Sequence, residues 1–225
     1  MTRPAAELQT LIGYTFKDEQ LLKLSLTHSS AKKKSNYERL EFLGDRVLGL
    51  IMAELIYHRF PEESEGDLGR RLAPLVQGAT IAQISAKINL ADFIILSDAE
   101  KAAGGRANDN ILSDVYEALL GALYLDGGLE PCRKLITQHW TGVLEVMIRP
   151  PMHPKTEVQE WAQGRGLPLP LYEIVKQSGP DHAPSFEIEL HIEGFKPARA
   201  EGRSRQDAEK EAALKFISQN IREKK

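Results

Sequence analysis

The stretch SDVYEALLGALYLDGG, residues 113–128, fits few surroundings. Read as a helix, it carries Asp114 and Glu117 three apart, while Val115, Tyr116, Ala118 to Tyr124 and Leu125 are apolar or small whichever way they point. Such a helix is expected to be buried on all sides, at the centre of a helical domain. Two ionised carboxylates inside it cost several kcal/mol each without compensation, yet the residues four further along are Ala118 and Gly121. An acid pair complementing the dipole of a helix that begins near Ser113 accounts for Asp114 but poorly for Glu117.

A second acidic helix raises the same question. In ERLEFLGDRVLGL, residues 38–50, a helix turning about 100° per residue sets Glu38, Glu41 and Asp45 on one narrow face, with Leu40, Leu43, Val47, Leu50 and Ile51 opposite. A solvated acidic stripe is the plain reading. Against it, Phe42, Leu48 and Gly49 flank the acids, and no basic residue stands three or four positions after any of them. The pattern asks for a cation from outside the helix. If the two helices pack acid to acid, Glu41, Asp45, Asp114 and Glu117 converge in an all-oxygen site that suits Mg²⁺ or Mn²⁺ and not zinc or copper. A hard divalent ion held by carboxylates is apparatus for phosphodiester hydrolysis.

Composition narrows the class. The chain has 225 residues, 42% hydrophobic and 27% charged, ordinary for a globular protein with one sizeable core and a small second domain. Its start, MTRPAAELQTLIGYTF, has no apolar core of signal-peptide length, and no run approaches a membrane span, so no membrane partner is expected. The single cysteine, Cys132, allows neither an intrachain disulfide nor a Cys-based zinc site, and points to a reducing, cytoplasmic setting. The six histidines show no metal-ligand spacing. Net charge is −3 over residues 1–153 (17 Lys plus Arg, 20 Asp plus Glu) and zero over 154–225 (12 of each), so nucleic-acid binding must come from local arrangement.

RPPMHP, residues 149–154, is the clearest break and reads as a linker between a domain at 1–148 and another at 155–225. Before it, helical segments are expected near 5–12, 18–29, 36–59, 66–75, 79–87, 89–94, 108–126 and 131–148, with loop chemistry at 101–107 and KKK, 32–34, as a solvated loop. After it, KTEVQEWAQGRG suggests a helix. LYEIV (171–175), the strict alternation of Phe186, Ile188, Leu190 and Ile192, and FKPARAEG (195–202) suggest strands, with Pro197 placing the third at an edge or bulge. Ser204 and Asp207 open a terminal helix with a capping-box pattern. The fold class is multidomain: an all-α domain followed by a small α+β domain of order α-β-β-β-α.

ERLEFLGD, EGDLGRR (65–71) and SDVYEALLGALYLDGG together resemble ribonuclease III, and the tail, with KTEVQEW, GPDHAPSFEIEL and GRSRQDAEKEAA, resembles a double-stranded-RNA-binding domain. The resemblance implies a homodimeric endonuclease of duplex RNA that yields 5′-phosphates, 3′-hydroxyls and short 3′ overhangs, and acts on ribosomal precursors and structured mRNAs. It implies metal binding by Glu41, Asp45, Asp114 and Glu117, with Asp45 and Glu117 catalytic, Glu38 and Glu65 as supporting acids, and Phe42 as a dimer contact. On spacing alone, packing of Phe42 within its own chain is an equal reading. In the tail the resemblance implies RNA binding by Thr156, Gln159, Glu160, His182, Arg203, Arg205 and Lys210; Thr156 with Gln159 also fits a capping box. The chain departs from the commonest pattern at Arg46, where a small hydroxyl residue is usual, at Asn110, at Leu72-Ala73-Pro74, and at Gln206, where a lysine is frequent. An all-α nucleotide pyrophosphohydrolase would also use paired helical acids but gives the tail no purpose. A non-cutting relative would be expected to have lost carboxylates that this chain retains.

Overall fold

The computed structural model describes residues 3–31, 35–148, 150–180 and 184–221. Its compact units are Met1–Pro151 and Met152–Lys225. The KKK loop at 32–34 and His182 lie outside the described residues.

The first unit is built from α1 (Ala5–Ile12), α2 (Glu19–Ser25), α3 (Glu38–Arg59), α4 (Glu65–Leu75), α5 (Gly78–Lys87), α6 (Asp98–Ala102), α7 (Asp109–Gly127) and α8 (Leu129–Val146), with short 3₁₀ turns between them. As its composition requires, α7 runs through the core: eleven of its 19 residues are buried. Among its large apolar residues the exposed one is Leu125, 55% exposed on the last turn. The helix begins earlier than Ser113, because the Asn108 side chain accepts from Asn110 N at 2.9 Å. Asp114 therefore sits in the second turn, too deep for the dipole to explain it.

On α3 the buried residues are Leu40, Gly44, Val47, Leu48, Ile51, Met52 and Ile56. That face centres on Gly44, rotated from the expected apolar stripe toward the acids, so Leu48 is fully buried while Leu50 is 59% exposed. The expected segment 18–29 stops at Ser25, because Thr27 forms a parallel bridge with Ile95. The loop read at 101–107 overlaps α6, which Ser97 starts by accepting from Glu100 N at 3.1 Å, a capping pattern that the loop reading passed over.

The second unit has α9 (Pro154–Gln163), strands β1 (Leu171–Ser178), β2 (Ser185–His191) and β3 (Ala198–Gly202), and α10 (Arg205–Asn220). The sheet is antiparallel in the order β1-β2-β3, with Ile174 opposite Ile188 and Ile188 opposite Ala200. Ile188 and Leu190 point inward onto Val158, Ala208, Ala212 and Phe216. Pro197 falls just before β3, so the edge strand is shorter than 195–202. Ser204 caps α10, accepting from Asp207 N at 3.1 Å. On α9 the N-cap is His153 and proline occupies the first helical position, so the helix starts inside the stretch read as linker. Thr156 is thus inside the first turn and forms no capping box with Gln159.

Candidate metal centre and nucleic-acid interface

The site begins with two glycines. A Cβ added at Gly44 would stand 1.7 Å from the carbonyl oxygen of Glu117, and one at Gly121 would stand 2.1 Å from that of Leu40. Helices α3 and α7 therefore meet backbone to backbone, which carries together Glu41, three residues before Gly44, and Glu117 and Asp114, four and seven residues before Gly121. Glu41, Asp114 and Glu117 each present an oxygen within 4.8 Å of the others, all half-buried.

Their electrostatics follow from that crowding. Burial, then the charges of Asp45, Asp114 and Glu41, push the Glu117 carboxyl up to about 8. Glu41 is raised by burial and by Asp114, Glu38 and Asp45. Asp114 is also raised by burial, against the opposing effect of hydrogen bonds from Tyr37 and Ser113 and the charge of His28. A positive ion here would favour the charged form of all three acids. Carboxylate oxygens alone suit a hard divalent cation.

Asp45 does not share the point where the other three meet. Its charge acts on Glu117, but its carboxylate pairs with Arg46, whose guanidinium lies 5.6 Å over the Phe42 ring. The departure at position 46 explains this, since it supplies the nearest positive charge to a carboxylate surrounded by acids. Glu38 is exposed at the start of α3, its N–H donating to Asn36 Oδ1 at 3.2 Å, and Glu65 is exposed at the start of α4. Neither joins the cluster of three. Phe42 is 67% exposed beside an open groove of about 950 Å³ that Leu21, Leu24, Leu43 and Leu125 help to line.

Sequence reasoning had no signal for two residues. Tyr37 donates to Asp114 Oδ2 at 3.2 Å. Arg71 is 1% exposed: it grips both Glu63 oxygens at 2.6 Å, donates to the Met147 carbonyl at 2.7 Å and stacks 3.6 Å over Phe60. That guanidinium is a packing element of the first unit, where its position in EGDLGRR alone would have suggested a surface cation.

In the second unit Gln159 and Glu160 are exposed on α9 and Thr156 is half-buried. Arg203, Arg205 and Lys210 are exposed around the start of α10, whose free amides and positive dipole favour phosphate. Arg205 also serves internally: its Nε and Lys155 Nζ bond the buried Glu209 at 2.8 and 2.5 Å. Burial alone would raise the Glu209 pKa, but these two cations prevail and hold it below the usual value.

Comparison with known proteins gives matches to both units of the chain. The family described as Ribonuclease-III-like matches residues 18–143, and the Double-stranded RNA binding motif matches 154–220. Ribonuclease 3 of Azorhizobium caulinodans is 44% identical over 222 residues, covering 96% of this chain and 94% of its own. That of Caulobacter vibrioides is 47% identical over 216 residues, covering 94% of each. The nuclease domain of ribonuclease III from Campylobacter jejuni, solved in a study of flexibility in its region involved in dimer formation, is 42% identical with a TM-score of 0.59 over 61% of this chain and 99% of that domain. With its buried acid-bearing helices and its tail domain, the chain belongs to the ribonuclease III family of endoribonucleases.

Proposed function

We propose that the chain hydrolyses the backbone of double-stranded RNA in a Mg²⁺-dependent reaction that Mn²⁺ can also support. The observation that carries this reading is the meeting of Glu41, Asp114 and Glu117 oxygens within 4.8 Å in a half-buried setting. Asp45 completes the ligand set when its side chain leaves Arg46, and Asp45 and Glu117 are the catalytic acids. When bound, such an ion lowers the pKa of a coordinated water and neutralises charge on the departing oxygen.

The protein's own groups do the rest. Glu38 and Glu65 are supporting acids, Glu38 through the effect of its charge on Glu41. On α9, Thr156, Gln159 and Glu160 read 2′-hydroxyls in the minor groove, as does His182, while Arg203, Arg205 and Lys210 hold phosphate at the start of α10. Phe42 inserts beside the corresponding groove of a second copy, and the homodimer brings two sites to one duplex; the exposure of Phe42 next to an apolar groove supports this reading. Products carry 5′-phosphates, 3′-hydroxyls and short 3′ overhangs, and the substrates include ribosomal precursors and structured mRNAs. The setting is cytoplasmic, a reading that rests on the lone cysteine; among the described residues no helix is long and apolar enough to cross a membrane.

The test is incubation with labelled duplex and single-stranded RNA, in Mg²⁺ or in EDTA. Loss of the duplex alone, and only with metal, is expected; cutting that ignores EDTA or prefers single strands would overturn the reading.

A further inference from the structure

Tyr37 stands one position before the first acid of α3, and its side chain is almost completely buried, at 4% exposure. Its main chain is tied down on both sides. The N–H donates to Thr27 O at 3.0 Å, and the carbonyl accepts from Leu40 N at 2.8 Å and Glu41 N at 3.0 Å, which starts the helix. From that anchor the phenol reaches across to α7 and donates to Asp114 Oδ2 at 3.2 Å. The His28 ring lies against it at 5.6 Å, itself fixed by a 2.8 Å bond between Nδ1 and Ser30 Oγ. Among the described residues, neither the Glu41 nor the Glu117 carboxylate accepts a hydrogen bond, whereas Asp114 takes this one and a long contact of 3.5 Å from Ser113 to Oδ1.

We propose that Tyr37 is a positioning residue of the metal centre: its hydroxyl holds Asp114 Oδ2 and so fixes the orientation of a carboxylate that would hold a divalent cation. The inference rests on Asp114 being a metal ligand. A buried phenol suits this work because it orients a carboxylate without bringing a charge that competes with the cation. One residue thereby sets both the start of α3, with Glu41 on it, and the rotamer of the acid facing it from α7. Donors behind metal ligands generally matter for affinity by about 10–100-fold.

The experiment measures Mn²⁺ binding by calorimetry on the full chain without RNA, for the wild type, Tyr37→Phe, Tyr37→Met and Asp114→Asn. Both Tyr37 variants lack the donor, and the flexible methionine provides a second measurement if the phenylalanine variant does not fold. Melting in EDTA reports which variants are folded. The expected result is a loss of about 10–100-fold in Mn²⁺ affinity for a folded Tyr37 variant, with cleavage recovering as metal is raised. Unchanged affinity in Tyr37→Phe, alongside lost affinity in Asp114→Asn, would overturn the role of Tyr37 and leave the metal site standing. Unchanged affinity in Asp114→Asn would instead overturn the ligand assignment beneath it.

Discussion

Gly44 and Gly121 face each other where α3 crosses α7, each so close to the other helix that a Cβ would enter a backbone carbonyl, of Glu117 in one case and Leu40 in the other. Glu41 and Glu117 stand about one turn from these glycines and Asp114 about two, so their separation is set by main chain rather than by side-chain packing.

Gly44→Ala or Gly121→Ala should therefore damage fold and site together. Forcing extra atoms into a close-packed contact costs about 1–3 kcal/mol, and backbone is what must move here. Urea unfolding should show at least that loss, and Mg²⁺ titration of cleavage should shift to higher concentration. A variant with wild-type stability would mean that the helices separate freely.

Glu117→Gln should abolish cleavage while leaving duplex binding almost unchanged, because it alters a proposed ligand of the cluster and not the surface of the second unit. Gel shift in EDTA beside a cleavage assay separates the two. Cutting at the normal rate would remove Glu117 from the site.

Arg46→Ser should lower the Mg²⁺ concentration needed for half-maximal cleavage. The Asp45–Arg46 pair is solvent-accessible, with side chains 39% and 69% exposed, and such pairs are worth at most about 1 kcal/mol, so the shift should be about fivefold or less. An unchanged titration would mean that Arg46 does not compete for Asp45.

Glu209 gives the second unit an acid-sensitive point. Its folded pKa lies below the ordinary 4.5, so its pairing with Lys155 and Arg205 stabilises the fold above that value and is lost as pH falls through the lower folded pKa. Melting between about pH 5 and 3 should decline less steeply in Glu209→Gln, once corrected for its lower starting stability. Equal slopes would mean that the pairing carries no linkage.

The sequence by itself determined most of the helices and strands, because apolar period, Ser204 as a cap and proline breaks are local properties that survive without tertiary context; the short α6, with no apolar period of its own, escaped it. The alternation at Ile188 and Leu190 became a buried sheet face, and the apolar run from Val115 to Leu123 became the core of the central helix. Tertiary structure alone decided how those elements meet. A helical period says which residues share a face but not the angle at which that face is buried, so Leu50 is exposed and Leu48 is not. It also says nothing about rotamers: the same period that aligned Glu41 with Asp45 left open that Asp45 would turn to Arg46, while Tyr37, from outside the helix, would take hold of Asp114. The meeting of the acids across α3 and α7 depends on two glycines 77 positions apart in the chain approaching each other, a relation that no window of neighbouring residues contains.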